Sequence, residues 1–388
     1  MGFNPCAIKN IQLHCLFEKK SGDIYCIGNI EADKYIFLNK QQADAVMQAI
    51  CYMDGTNTIE DIEEIMLREH HITINITKLC EILAGGGLLV PSDEMEIQRE
   101  FNEIQTLFVT IKTFSLKKIV PFLRIIPKAD KALFAILILS VVVSMFLFSH
   151  TTNPLFSIRD LFSEPRVLIY YLMISTASIL LHEMGHVIIG TYYGLTPSTM
   201  TIAAYAYVTP LIYVKLPGIY FLSPGQRLVT WLAGIFLNLS VLLFTYSLSF
   251  HVDGEAKLIL LVTAYCNLSI IIFSLNPLLY SDGYYAFSTI LKTPNLRKSS
   301  GKCFLKILTG KAKLEDYVYS FYFFIVIVLA IVFIVPECIY TVQSLITDVQ
   351  RGVTIVEIFK SFSNIFIMVV IGMLAMIFSK SKNRPTGE

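Results

Sequence analysis

Charge is what this 388-residue chain has least of: 16% of its residues are Asp, Glu, Lys or Arg, against 54% hydrophobic, and the mean hydropathy is +0.61. That balance excludes a wholly soluble protein and leaves room for one soluble domain beside membrane-embedded chain. A net charge of +1 decides nothing by itself, because in a membrane protein the placement of cations matters more than their sum. No apolar signal-peptide core follows Met1, and Cys6 stands where a myristoylation signal wants Ser or Thr, so neither targeting device is expected. Eight cysteines include no C-x-x-C pair, which argues against an iron–sulfur or disulfide framework. They read as small apolar fillers in a reducing compartment.

Long apolar runs are plentiful. Six read as membrane spans, at about 132–149, 167–193, 227–250, 257–280, 317–336 and 361–379. Lysines and arginines collect before the first, after the fourth and after the sixth. The loops 150–166, 251–256 and 337–353 are nearly neutral, so a multi-pass protein with both termini cytoplasmic is expected. The second run carries His182-Glu183-Met184-Gly185-His186. On a helix His182 and His186 share one face and can grip one metal ion, and Glu183 projects beside them as a base for a water on that metal. Ionisable groups at bilayer depth are expensive and point to function; a polar seam that packs helices is the plainer alternative.

Residues 1–90 read as a mixed soluble unit. Strands are expected at 11–17, 24–30 and 34–38, then helices at 41–53, from the Thr58 cap, and from Asn75 or Thr77 to the Gly85-Gly86-Gly87 stop. A hairpin with three helices suggests a winged-helix domain, for which DNA binding is the usual guess. Eleven acids against four cations between Asp23 and Val90 argue against nucleic acid. The run Tyr35-Ile-Phe-Leu-Asn39, the Met53-Asp-Gly-Thr56 turn and the glycine stop before Leu88-Leu89 resemble PqqD-like domains, which recognise precursor peptides of ribosomally made, modified peptides. The resemblance implies a leader peptide added as an extra strand along the third helix, with Tyr25, Ile27, Lys78 and Ile82 as recognition residues. A purely structural domain is the alternative. Residues 92–112 read as a charged helix and 117–128 as a basic interfacial segment, giving a linker over 91–130 before a membrane domain at 131–388.

Two histidines leave tetrahedral zinc one protein ligand short. The fourth span ends Asn276-Pro277-Leu-Leu-Tyr-Ser-Asp282-Gly283: Pro277 must disturb the helix, Asn276 can bond freed backbone or a substrate carbonyl, and Gly283 lets the chain turn behind the carboxylate. Together the two motifs resemble the site-2 protease family of intramembrane zinc metalloproteases. That resemblance implies His182, His186 and Asp282 as Zn2+ ligands, Glu183 as general base and Asn276 near the scissile bond. Ala233-Gly234-Ile235-Phe-Leu-Asn238 is a further likeness, with Ile235 where the family has proline; Asn238 packs helices or touches substrate. Residues 201–215 form either a membrane-dipping hairpin that holds extended peptide or a sealed structural loop, and Gly190-x-x-x-Gly194 suggests close helix packing.

The expected fold is mainly α, a polytopic membrane protein with six transmembrane helices plus a small α+β winged-helix-like N-terminal domain. The expected function is a membrane zinc endopeptidase that captures and cleaves a precursor peptide near the cytoplasmic face. Its partners would be that peptide and membrane lipid, with a peptide-modifying enzyme or exporter alongside. Regulated proteolysis of a membrane-bound transcription regulator, or a non-catalytic peptide-binding export or immunity scaffold, are the alternatives.

Overall fold

The computed structural model of the protein describes residues 4–19, 22–90, 108–123, 128–148, 165–205, 209–276, 280–314, 316–325, 327–328, 331 and 343. They fall into two compact units.

The first unit opens with an antiparallel sheet of β1 (Gln12–Phe17), β2 (Ile24–Asn29) and β3 (Lys34–Asn39), with β2 in the middle. Helices α1 (Lys40–Cys51), α2 (Ile59–His70) and α3 (Ile76–Gly85) follow in the expected order. Each start is fixed by a side chain: Asn39 and Gln42 form one capping box, Thr58 and Asp61 another, and Asn75 accepts the Lys78 amide. Strand alternation sends Ile27 and Ile36 toward the helices, where Ile62, Met66 and Leu83 close the core. Each such burial contributes roughly 1.5–3 kcal/mol.

The opposite sheet face, with Leu16, Cys26, Tyr35 and Phe37, is covered by Tyr220 and Phe221 from a single 3-10 turn, Ile219–Phe221. Tyr220 stands edge-on to Tyr35 and to Phe37, each at 5.2 Å between centroids. Among the described residues, Arg227 is the largest fully buried side chain. It donates to the carbonyls of Leu16 and Tyr220 at 3.2 and 3.3 Å, and its guanidinium lies 4.7 Å from the Phe17 ring centroid. Among the described residues no carboxylate forms an ion pair with it, so the two carbonyls and the ring are what offset its desolvation.

After a one-turn helix α4 (Val120–Leu123), the described residues include four helices long and apolar enough to cross a membrane: α5 (Ala129–Phe148), α6 (Pro165–Tyr192), α7 (Pro224–Leu248) and α8 (Gly254–Leu275). They correspond to the first four expected spans. Helix α8 stops at Leu275, short of the expected residue 280, because the residue before Pro277 is pushed out of helical geometry. Helix α6 is closed just past its end by Gly194, whose φ of +91° suits glycine, with Leu195 N–H closing back on the Gly190 carbonyl at 2.9 Å. Gly194 is therefore a helix stop, and of the expected glycine pair Gly190 alone receives a close neighbour, Leu216. Helix α7 starts on a Ser223–Gln226 capping box with Pro224 in its first turn.

The second unit holds a sheet in the order β4 (Phe108–Ser115), β5 (Thr199–Tyr205), β6 (Thr209–Val214), and helices α9 (Asp282–Ile290) and α10 (Leu296–Leu308). Strand β4 corrects the helix expected as far as residue 112: the alternating Val109, Ile111 and Thr113 favour a pleated strand over a helix. Residues 92–107 of that expected helix lie outside the described residues, as does the expected sixth span. The expected fifth is helical over 316–325, and most of its remainder also lies outside.

Candidate metal centre

Helix α6 presents His182, Glu183 and His186, all buried, and α7 sets the two imidazoles. His186 Nδ1 lies 2.7 Å from the Thr230 carbonyl, an atom that can only accept, so Nδ1 carries the proton. His182 Nδ1 lies 3.1 Å from Asn238 Oδ1, which fixes the same tautomer. Both Nε2 lone pairs then point inward, 3.2 Å apart. Two lone pairs at that distance repel unless a cation joins them, and an outer acceptor holding each Nδ1–H is the arrangement of metal-ligating histidines. The residues thus fit a divalent ion such as zinc.

The approach of α7 to α6 needs small residues at both surfaces. A Cβ on Gly185 would meet the Ala233 carbonyl carbon and oxygen and the Gly234 nitrogen at 3.0 Å, and one on Gly234 would stand 2.7 Å from three atoms of the His182 ring. Glu183 is anchored from a third direction, its Oε2 accepting the Val214 amide at 2.8 Å. That bond orients the carboxylate.

Asp282 opens α9 in the second unit. Just before it, Ser281 Oγ donates to the Asn276 carbonyl at 3.0 Å, and the chain folds back until a Cβ on Gly283 would meet the Leu275 Cα at 2.8 Å. Asp282, the third ligand that the sequence motif offers beside His182 and His186, thus stands at a fixed helix start within its own unit.

The chain is 28% identical over 121 residues to a Bacillus subtilis (strain 168) protein named "Putative peptide zinc metalloprotease protein YydH". The match takes in 30% of this chain and 44% of that relative, so the chain spans less than half the length of the protein it matches. No family model and no solved structure matches the chain. The likeness supports a zinc protease family and nothing narrower.

The other expected site residues are spread more widely. Asn238 is fully buried against His182, which makes it a support for the ring. Lys78 and Ile82 lie one turn apart on the exposed side of α3. Tyr25 and Ile27 need correction as sites of strand addition: β2 is paired on both sides, and Ile27 is wholly inside the core. A middle strand has no edge to offer. Of the outer strands, β1 has its Leu16 carbonyl engaged by Arg227. Thr230, Gly185 and Val214 were not singled out by sequence. A backbone carbonyl and a backbone amide leave no mark in composition, whereas Gly185 and Ala233-Gly234 are small residues on two apolar runs and do carry a signal.

Proposed function

We propose that the protein is a membrane zinc endopeptidase that binds a ribosomally made precursor peptide and cleaves it near the cytoplasmic face of the bilayer. The observation that carries this is the buried imidazole pair whose Nδ1 atoms are both committed outward and whose Nε2 atoms face each other at 3.2 Å. His182, His186 and Asp282 would hold the ion. Bound zinc supplies polarisation of the scissile carbonyl and acidification of the attacking water. Glu183, steadied by the Val214 amide, takes the proton and delivers it to the leaving amine. Asn238 and the Thr230 carbonyl keep the rings in register, and Asn276 binds the substrate carbonyl.

The N-terminal domain captures the leader, and the candidate edge is β3 with the exposed Lys78 and Ile82 of α3 beside it in the recognition surface. Its acidity supports a peptide partner over nucleic acid. The distribution of lysine and arginine along the chain supports cytoplasmic termini. Elemental analysis of the full-length protein in detergent micelles tests the metal, with about one zinc per chain expected and His182→Ala, His186→Ala and Asp282→Ala each lowering it. Full occupancy in Asp282→Ala would remove that residue from the site. Incubation with synthetic peptides from neighbouring short reading frames tests the substrate; cleavage that survives a chelator would end the metalloprotease reading.

A further inference from the structure

The segment between β6 and α7 is fastened at both ends. At one end the Val214 amide donates to Glu183. Two residues on, buried Leu216 fills the notch over Gly190, where a Cβ would come within 3.3 Å of it. Glu183 and Gly190 are seven residues apart on α6 and so share a face, which staples the segment to that helix at two points. At the other end the Gly218 amide donates to the Tyr35 hydroxyl at 2.7 Å. Gly218 has φ of +87°, and a Cβ there would crowd Ile30 at 3.2 Å, so the close seat on the N-terminal domain depends on glycine. Four residue steps, through Lys215, Leu216 and Pro217, separate the amide that holds Glu183 from the amide held by Tyr35. Their full extension is about 14 Å, and proline and the Leu216 staple remove most of the slack.

We infer that the N-terminal domain is a positioning part of the candidate catalytic centre: Tyr35 holds the segment 214–218, and that segment holds Glu183. The inference rests on the proteolytic reading only in its kinetic consequence. A domain that merely tethers substrate changes KM through effective concentration. A domain that sets the base changes kcat.

The test is amide hydrogen exchange, resolved to single residues, on the full-length protein in micelles. Tyr35→Phe removes the acceptor for Gly218 and keeps the ring that packs on Tyr220 and Phe221. Gly218 exchange should rise about tenfold and Val214 exchange at least about threefold, with α6 protection unchanged. Glu183→Ala should open Val214 and, reciprocally, speed exchange at Gly218. Opening at Gly218 with Val214 unmoved, or at Val214 with Gly218 unmoved, overturns the inference. Exchange needs no substrate, so this result stands whether or not the protein is a protease. With fluorescein-labelled casein as the probe, Tyr35→Phe should lower kcat and leave KM alone, and a change confined to KM overturns the positioning role. Casein left intact by the wild-type protein counts against the proteolytic reading alone, and exchange then decides.

Discussion

Gly234→Ala tests how closely α7 governs the candidate metal ligands. The added Cβ would stand 2.7 Å from Cγ, Cδ2 and Cε1 of His182, where ordinary carbon contacts lie at about 3.5–4.0 Å. Ring or helix must therefore give by about 1 Å. Withdrawing α7 would stretch the Asn238 and Thr230 contacts to both Nδ1 atoms, so the ring is the part that moves. Zinc–nitrogen distances tolerate about 0.2 Å, and a displaced ligand should weaken zinc binding about 10–100-fold, as loss of an outer hydrogen-bond partner does. Turnover should fall about 100-fold. The assay is zinc retention of the full-length protein against graded chelator, with far-ultraviolet circular dichroism to show that the helices persist. A folded Gly234→Ala protein that keeps zinc as the wild type does would refute this account of the α6–α7 contact.

Glu183→Gln should keep zinc and lose turnover by several orders of magnitude, and near-normal cleavage by this variant would dispose of Glu183 as the base. Asn238→Ala should lower zinc affinity about 10–100-fold by releasing His182 Nδ1, measured by chelator competition; unchanged affinity would mean that the bond does no positioning. Burial pushes the Cys26 thiol up to about 12, so at pH 8 it holds almost no reactive thiolate, whereas Cys51 is exposed. Maleimide should label Cys51 readily and Cys26 slowly, and Arg227→Ala should speed Cys26 labelling by loosening the covered sheet face. Equal protection of Cys26 in Arg227→Ala would mean that Arg227 does not hold that face closed.

Sequence reading worked best where the determinants are local. Thr58 with Asp61, Asn75 and the glycines after α3 marked helix ends because a cap acts within one turn of itself. His182-Glu183-x-x-His186 was legible for the same reason, since four residues of helix set its geometry. What stayed hidden is non-local. Arg227 stands at the start of an expected span and is 1% exposed beneath the N-terminal sheet, because two of its partners, the Leu16 carbonyl and the Phe17 ring, lie more than 200 residues earlier. Gly185 passed as a variable position of the histidine motif until α7 was found against it. The placement of peptide recognition on β2 failed because strand order is decided by pairing, and alternation along one strand does not say whether that strand lies inside the sheet or at its rim.

On α7 the positions 227, 230, 234 and 238 fall within an arc of about 80°. One stripe therefore carries the Arg227 clamp, the Thr230 carbonyl, the clearance at Gly234 and the Asn238 amide. The spacing is a phase relation, and helices keep phase strictly. Inserting a single residue between Arg227 and Thr230 would turn everything beyond it by about 100°, and no point substitution could turn it back. Natural variation should therefore be free to rewrite the outer surface of the N-terminal domain for a new peptide, while the number of residues from Arg227 to Asn238 stays frozen.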